Sequence, residues 1–372
     1  MKSEGSPTIR IYTMTHKAFE VWPDKMYVPL QVGAAVHDDL GYLRDDTGEN
    51  ISALNCYYSE LTGLYWIWKN VTDADYVGTC HYRRCLIDEQ EHIFTEQQYR
   101  ELLQKYDLIT TRRVHLNNSY HFGFSANHNI VALDTTGDVI RQMYPDYYDT
   151  FIRLVNGPDT YFGNILVTSK KNFDAYCSWL FSIFFEVQKR IDMETDEDDY
   201  HRRVFGFISE FLLLVWVTVN KLSVYECKVG MLGEKVETRE MKEQLALFFA
   251  AEDIEGAKAY FLKQHAARPD VMMEASDITG ELHLAMQVIA TADAENRRYG
   301  HHILQKEHDF HRLMRLFTDI NRLAANLAAV QQPAGSATAA YLDERDCATM
   351  GNPLVSGVAL EIAELIRPKW EN

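Results

Sequence analysis

Apolar and polar positions alternate along several short stretches of the chain, and longer stretches with a three-to-four-residue period lie between them. Residues 8–14 alternate and are rich in β-branched and aromatic side chains, which predicts a first strand. The apolar runs Tyr76–Cys80 and Tyr106–Thr110 predict two more strands, with a helix over residues 95–105 between them. This strand–helix–strand order indicates an α/β domain with a mainly parallel central sheet.

An unusually aromatic helix is predicted over Asn55–Lys69. Four apolar positions share one face of this helix and predict packing against the sheet: Leu61, Leu64, Tyr65 and Trp68. The polar stretch of residues 45–52 precedes the helix and suits a tight turn, in which Asn50 or Ser52 is placed to cap the helix. A strand over Asp159–Thr168 and an amphipathic helix over Asn172–Arg190 follow further along.

From about residue 245 the pattern is helical throughout. Residues 276–332 contain no proline, and apolar side chains recur there at three-to-four spacing. We therefore predict two domains, residues 1–244 and an all-helical region of residues 245–372. The spacing leaves open whether the helical region forms a homo-oligomer or packs as an appendage. The last predicted helix, Leu354–Ile366, ends in the basic sequence Arg-Pro-Lys-Trp, which suits contact with a membrane surface, although docking of this helix on the core is the favoured interpretation.

The net charge restricts the class of ligand. The chain carries a formal charge of −17 and has a pI near 5.3, so a non-specific nucleic-acid binder is excluded on global electrostatics. Within residues 1–244, three pairs of adjacent arginines stand out in this acidic background: Arg83/Arg84, Arg112/Arg113 and Arg202/Arg203. Such pairs suit a confined anionic ligand, and a solvated basic surface is the alternative.

The cysteines and the apolar stretches bear on metal binding and location. The six cysteines show no paired metal-ligand spacing. The first residues carry no apolar signal-peptide region, and the longest apolar stretch, Phe211–Val219, is too short to span a bilayer. We expect a soluble cytoplasmic protein, with peripheral contact at the inner membrane left open.

Chemistry-bearing side chains follow two of the predicted strands. His81, Tyr82, Arg83 and Arg84 come at the end of the strand that starts at Tyr76, and the triplet 15–17, Thr-His-Lys, ends the first strand. In open α/β sheets ligands bind at the carboxyl ends of the strands, so both places predict a binding site. The chain has no glycine-rich phosphate loop, which excludes a Rossmann dinucleotide site and a P-loop.

Three further places carry candidate residues. Gly163 and Asn164 lie in a predicted strand, where glycine permits either close approach to a ligand or a bulge. Residues 115–129 are rich in histidine and asparagine without a zinc-like spacing, which favours an active-site loop over a metal site. Glu210 starts a predicted buried helix behind Arg202 and Arg203, and is either paired structurally or held as a general base.

Several stretches together resemble the domain-of-unknown-function family 4422. They are, in order, Thr-His-Lys, Asp-Thr-Gly-Glu-Asn-Ile-Ser, Glu-Leu-Thr-Gly-Leu-Tyr-Trp-Ile-Trp-Lys-Asn, Gly-Thr-Cys-His-Tyr-Arg-Arg, Tyr-Cys-Ser-Trp-Leu-Phe and Arg-Val-Phe-Gly-Phe-Ile-Ser-Glu. The resemblance covers about residues 8–230. It implies a bacterial glycosyltransferase of the GT-A type, associated with capsule and exopolysaccharide synthesis, that uses a nucleotide-sugar donor. Galactofuranose transfer is one activity that the resemblance implies.

The resemblance also bears on metal dependence. GT-A enzymes commonly place an Asp-x-Asp after a central strand to hold a divalent ion against the donor diphosphate. Here that position reads His-Tyr-Arg-Arg, and arginines neutralise a leaving diphosphate without metal, so we predict a metal-independent transferase. Asp73 and Asp75 precede the strand, at the wrong end of the sheet. Asp196 and Asp198 are better placed and leave Mn²⁺ or Mg²⁺ as the alternative, although a plain acidic loop explains them as well.

The resemblance and the strand ends together assign roles. Glu210 and His81 are the predicted catalytic residues, with Glu210 as the base on an acceptor hydroxyl. Donor-binding roles fall to ten residues: Thr15, His16, Lys17, Asn50, Asn55, Glu60, Arg83, Arg84, Asn164 and Arg203. His121 and His128 are assigned to the acceptor side or its loop, and no residue is assigned to a metal.

Two other classes of function stay open. One is a carbohydrate-binding or scaffold protein of a polysaccharide assembly system. The other is a transferase of another phosphate-activated group, such as a polyol phosphate. The expected partners are a nucleotide-sugar donor, for which a UDP-sugar is favoured, and a saccharide or lipid-linked saccharide acceptor of a capsule, exopolysaccharide or O-antigen.

Overall fold

The computed structural model describes residues 7–22, 24–194, 200–231, 233–272, 276–330 and 342–366. The chain forms two compact units, residues 1–232 and residues 233–372. The division predicted from the sequence, between residues 244 and 245, falls within the helix Val236–Ala250.

The first unit is built on a mixed sheet. Its described residues form ten strands: β1 (Ile9–Thr15), β2 (Tyr27–Gln31), β3 (Leu43–Arg44), β4 (Tyr76–His81), β5 (Arg84–Ile87), β6 (Leu108–Thr111), β7 (Val114–His115), β8 (Asp159–Thr160), β9 (Leu166–Ser169) and β10 (Val224–Met231). Eight strands make the main sheet in the order β3-β2-β1-β4-β5-β10-β6-β9, and β7 pairs with β8 separately.

One half of the main sheet is parallel and the other is a closed ring. Strands β3, β2, β1 and β4 are parallel neighbours, as predicted. Beyond β4 the strands β4, β5, β10, β6 and β9 close on themselves, because β9 pairs with β4 as well as with β6. Only β10 and β6 are parallel in this ring. The prediction of a mainly parallel sheet therefore holds for the first half alone.

Eight helices accompany the strands in the described part of the first unit: α1 (Asn55–Tyr58), α2 (Leu61–Asn70), α3 (Glu96–Leu103), α4 (Tyr120–Asn127), α5 (Ile130–Met143), α6 (Pro145–Val155), α7 (Lys170–Gln188) and α8 (Val204–Val219). Alternate residues of β1 enter two different cores. Tyr12 and Met14 join the core that includes α2, α7 and α8, whereas Ile9 and Ile11 join the core that includes α3. Both faces of the sheet are therefore covered, so a ligand can reach the sheet at the ends of its strands.

Local sequence explains where several helices begin. Thr95 caps α3 in a reciprocal capping box with Gln98, and the Ser169 hydroxyl accepts from the Asn172 N–H at the start of α7. α8 is apolar on all sides and buried, as expected of a helix enclosed by others.

Four local predictions differ from the structure. The helix expected over residues 55–69 breaks at Ser59, whose φ of 49° ends α1 before α2 begins. The strand expected over residues 159–168 is split into β8 and β9 by a turn at Gly163. Glu210 lies in the second turn of α8 rather than at its start, and α4 occupies most of the expected active-site loop.

The second unit is helical in its described part, as predicted. Its helices are α9 (Val236–Ala250), α10 (Ile254–Ala267), α11 (Glu281–Tyr299), α12 (Phe310–Val330), α13 (Glu344–Met350) and α14 (Gly357–Leu365). They enclose one apolar core of their own. Within it the buried side-chain amides of Gln287 and Asn321 hydrogen-bond each other in both directions, at 3.0 and 2.8 Å. No helix in the described ranges has the length and apolarity needed to cross a bilayer.

Candidate active site

The carboxyl ends of β1 and β4 lie side by side. Met14 and His81 are register partners in these parallel strands, and the Tyr82 N–H donates to the Met14 carbonyl at 3.1 Å. The His16 ring packs edge-on against the Tyr82 ring, with centroids 5.5 Å apart. The two strand ends that the sequence singled out are thus brought to one place.

A left-handed turn at Gly163 and Asn164 connects the end of β4 with α8. The φ angles of these residues are +99° and +48°, a backbone region that glycine adopts freely and asparagine tolerates. The Gly163 N–H donates to the Glu210 carboxylate at 2.7 Å. The Gly163 carbonyl accepts from His81 Nε2 at 2.8 Å. One residue therefore contacts both predicted catalytic side chains.

The Asn164 side chain ties three segments together. Its Nδ2 donates to Glu60 Oε1 at 2.7 Å and to the Gly206 carbonyl at 3.0 Å. Its Oδ1 accepts from the Ser209 hydroxyl at 2.8 Å. Asn164 is 5% exposed, so these bonds replace water almost completely. The contacts give Asn164 the role of holding Glu60 and the first turns of α8.

Glu210 is a carboxylic acid with a strongly perturbed pKa. Desolvation within the protein and the nearby Glu60 carboxylate raise the pKa of Glu210 to about 8. Arg84, the Gly163 N–H and Arg203 lower the pKa of Glu210, but their effect is smaller than that of desolvation and Glu60. Such a group is a candidate for proton transfer, because its pKa lies near neutral pH.

His81 is perturbed in the opposite sense. Burial, and then the Arg84 guanidinium, lower the pKa of His81 to about 4, although Glu60 opposes this. Its Nδ1 lies 3.4 Å from Arg84 Nη2. His81 is therefore a neutral imidazole at physiological pH.

Arg83 carries unsatisfied hydrogen-bonding capacity. Its Nε and Nη1 are shielded from solvent, and neither has a hydrogen-bond partner among the described residues. The guanidinium lies 5.5 Å from the centre of the Tyr82 ring. Arg83 as a whole is half-buried, and two shielded donors that have no partner among the described residues are costly, so this position suits an anionic ligand.

Arg84 lies beside the left-handed turn. Its Nη1 is 3.6 Å from the point that a Cβ on Gly163 would occupy. A Cβ there would make only ordinary van der Waals contact, so glycine is favoured at this position by its φ of +99° and not by the space that Arg84 needs. Arg83 and Arg84 both lie close enough to His81 to lower its pKa.

The predicted floor of the site is partly loop structure. Asn55 Nδ2 donates to the Ser59 carbonyl at 2.7 Å and packs under Gly33, where a Cβ would lie 2.6 Å from Asn55 Cγ. Asn50 donates to the carbonyls of Asp46 and Gly48, at 3.1 Å each, within its own loop. The structure thus gives Asn50 loop-holding contacts and leaves its donor role a prediction.

Asp45 is a residue that the sequence interpretation missed. It is fully buried and accepts hydrogen bonds from the N–H groups of Gly33 and Ala34, at 3.0 Å each, and from Ser52. These contacts fix the loop after β2 at the same edge of the sheet. In the sequence Asp45 looked like an ordinary turn residue, so only its partners identify it.

The two histidines assigned to the acceptor side separate. His121 pairs with Asp134 at 3.0 Å on α4 and α5. His128 stacks on Phe207 of α8, with centroids 4.1 Å apart, and the Arg203 guanidinium lies 5.7 Å from the same ring. His128 therefore joins the segment that carries Glu210, whereas His121 has a surface hydrogen bond with Asp134.

In the other two arginine pairs singled out from the sequence, three of the four arginines lie near carboxylates. Arg112 pairs with Glu89 at 2.8 Å, Arg113 with Glu226 at 3.0 Å, and Arg202 lies 3.7 Å from Glu194.

The residues after β4 do not fit a divalent cation. His81 faces the Arg84 guanidinium with Nδ1, and arginines do not ligate metals. Asp73 pairs with Arg10 at 2.5 Å and Asp75 accepts from the Thr8 N–H, so both serve the amino ends of the strands. Asp196 and Asp198 lie outside the described residues. No cluster of three metal-ligating side chains occurs in the described ranges.

Comparison with known proteins supplies two matches. The family model described as a domain of unknown function (DUF4422) matches residues 10–221. Among solved structures, the apo form of the bifunctional glycosyltransferase WbbM is similar, with 28% identity and a TM-score of 0.57 over 61% of this chain. That match spans 46% of the WbbM chain, which is less than half of its length. No curated protein matches significantly.

Proposed function

The chain belongs to the domain-of-unknown-function family 4422, and from that membership and the site we propose that it is a glycosyltransferase with a nucleotide-sugar donor. The similarity to WbbM, which is described as a bifunctional glycosyltransferase, supports glycosyl transfer as the class of reaction. The proposed fold type of the first unit is GT-A-like, with the parallel half of the sheet presenting the donor site.

The observation that carries the proposal lies just after β4, where Arg83 has two solvent-shielded nitrogens, Nε and Nη1, with no hydrogen-bond partner among the described residues. A nucleotide-sugar donor brings a diphosphate, whose oxygens accept several charge-assisted hydrogen bonds. Arg83 and Arg84 would bind it, and they would stabilise the charge that develops on the diphosphate as the glycosidic bond breaks. Thr15, His16 and Lys17 would hold the nucleotide, beside the Tyr82 ring that His16 already contacts.

Glu210 suits the role of general base. The acceptor hydroxyl would give its proton to the Glu210 carboxylate while its oxygen bonds to the anomeric carbon. The bond from that carbon to the diphosphate breaks, and its electron pair leaves with the diphosphate toward the arginines. A direct displacement of this kind inverts the anomeric centre. A base with a pKa near 8 is stronger than an ordinary carboxylate and accepts the proton more readily.

The acceptor is proposed to enter on the α8 side. Arg203 lowers the pKa of Glu210, which places its charge near this carboxylate, and it lies over the rings of Tyr200 and Phe207. His128 extends the same aromatic cluster. Such surroundings suit a saccharide or lipid-linked saccharide of a capsule, exopolysaccharide or O-antigen.

We further propose that transfer proceeds without metal, because cationic residues stand where a metal-binding Asp-x-Asp is expected. Calorimetric titration with UDP, in excess EDTA and separately in Mn²⁺, tests the donor site. We expect binding in EDTA, loss of binding in Arg83→Met, and unchanged binding in the surface control Arg141→Met, which has a 60% exposed side chain. Binding only in Mn²⁺ would contradict metal independence.

Turnover tests the reaction itself. Incubation with a panel of UDP-sugars that includes UDP-galactofuranose, with and without a saccharide acceptor, should release UDP and extend the acceptor. UDP binding without turnover of any donor would favour the carbohydrate-binding or scaffold class. A phosphate-containing group found on the acceptor would favour transfer of a polyol phosphate.

A further inference from the structure

The two ring nitrogens of His81 face partners of opposite kind. A backbone carbonyl only accepts hydrogen bonds, so the 2.8 Å contact with Gly163 requires a proton on Nε2. A guanidinium only donates, so the contact with Arg84 Nη2 at 3.4 Å requires a lone pair on Nδ1. Together the two partners select a single neutral tautomer of the imidazole.

The charged groups around His81 favour its neutral form over the imidazolium. Arg83 and Arg84 follow it in the chain, and both disfavour the imidazolium. The Glu60 carboxylate, 3.9 Å from Nε2, is the one carboxylate that favours it among the named groups. A second proton would lie on Nδ1 and point at the Arg84 guanidinium. His81 therefore cannot take up a proton without losing that contact.

Gly163 extends the chain of contacts to the other side of the site. Its carbonyl holds His81 and its N–H holds Glu210, at 2.8 and 2.7 Å. Asn164 anchors the turn through its contacts with Glu60 and Ser209. Arg84, His81, Gly163 and Glu210 thus form one continuous path from the proposed diphosphate site to the proposed base.

We propose that His81 is a positioning residue that orients the Arg84 guanidinium toward the donor diphosphate and exchanges no proton with either substrate. This inference rests on the proposed donor site. It gives His81 a role different from the catalytic one predicted from the sequence. Donor affinity should depend on His81, and the proton-transfer step should not.

The tautomer is testable without any ligand. Protein labelled with ¹⁵N at histidine, observed by long-range ¹H–¹⁵N correlation, should show His81 as the neutral tautomer with hydrogen on Nε2 from neutral pH to about pH 5. The His81→Asn variant identifies the signal by its loss. Hydrogen on Nδ1, or titration near pH ~6.5, the value of a free histidine, would overturn the proposal.

Binding and kinetics test the positioning itself. His81→Leu should weaken UDP binding in EDTA about tenfold. His81→Asn should recover part of this loss, because its Oδ1 can accept from Arg84. The control His92→Leu, whose side chain is 79% exposed, should bind like wild type. The pH dependence of kcat should keep its shape in both His81 variants, and disappearance of one limb of that profile would overturn the proposal.

The two sets of experiments separate this inference from the proposed function. If wild-type protein bound no UDP, the donor assignment would fail, while the NMR spectrum would still decide the His81 tautomer. If UDP bound normally to wild type and to His81→Leu, the donor site would stand and the positioning role would fail.

Discussion

Replacing Glu210 by Gln should stabilise the protein at alkaline pH while it removes the proposed base. Glutamine has the shape of glutamic acid, and its Oε1 can still accept from the Gly163 N–H. The substitution therefore changes the charge of the site and little else. It separates the electrostatic cost of an ionised Glu210 from the packing of α8.

The sign and size of the effect follow from the raised pKa. Between pH 4.5 and about pH 8 the native state holds a proton that the unfolded state has released, so the free energy of unfolding falls as the pH rises. At ~1.4 kcal/mol per pH unit the full shift corresponds to ~5 kcal/mol. Glu210 is partly exposed, so solvent screens part of this, and we expect a difference of ~2–4 kcal/mol.

Urea unfolding followed by tryptophan fluorescence measures this difference for the first structural unit, which contains Glu210. Five of the six tryptophans belong to the first unit: Trp22, Trp66, Trp68, Trp179 and Trp216. We expect Glu210→Gln and wild type to be equally stable near pH ~5, and the variant to be more stable near pH ~9. The exposed Glu101→Gln serves as control and should match wild type at both pH values.

The reasoning would be refuted by equal stabilities of Glu210→Gln and wild type at both pH values, because Glu210 would then have an ordinary pKa. A variant less stable than wild type at high pH would show that the ionised carboxylate is paired favourably with the neighbouring arginines. If Glu210→Gln lost turnover but showed no change in stability, Glu210 could still be the base, but its pKa would not be raised.

Three further predictions concern Glu210, Asn164 and Gly78. If Glu210 is the base, kcat/KM should rise with pH along a limb with an apparent pKa near 8, and a flat profile would argue against that role. Asn164→Asp should lower the free energy of unfolding by ~2–3 kcal/mol in urea titrations at neutral pH, because it places a carboxylate against Glu60. The stability should recover at acid pH, and a variant that stayed unstable there would point to lost packing instead. Gly78→Ala should lower the free energy of unfolding by ~1–3 kcal/mol, because its Cβ would lie 2.9 Å from a backbone carbonyl oxygen of β9. The control Gly123→Ala in α4 adds a Cβ with no atom within 4 Å, so in the same urea titrations it should be neutral or slightly stabilising.

The sequence was a good guide to the two strand ends of the site. The alternation before Thr15 and the apolar run before His81 are local signals, and parallel neighbours bring such ends together automatically. Arg83 could be singled out because adjacent arginines are conspicuous in an acidic chain. The sequence could not show that two buried nitrogens of Arg83 have no partner in the described part of the chain, whereas Arg112 and Arg113 contact carboxylates.

The parts that the sequence could not predict depend on distant partners. A residue pattern shows that β9 is a strand, but its pairing with both β4 and β6 is set by packing across the chain. The helix break at Ser59 and the left-handed Asn164 occur at residues that ordinary propensity does not mark as obligatory turns. For the same reason Asp45 looked like a turn residue, and Glu210 was expected at the start of α8 although it lies in the second turn.

The closed ring of strands has a consequence for how the polypeptide is made and divided. Strand β10, residues 224–231, comes last in the first unit and inserts between β5 and β6, which are synthesised more than a hundred residues earlier. Until β10 emerges from the ribosome, those two strands have open edges toward each other, and open edges invite pairing with other chains. The family match ends at residue 221, just before this strand. A recombinant fragment cut at that limit would keep every residue proposed for the donor site and still lack the strand that closes the ring.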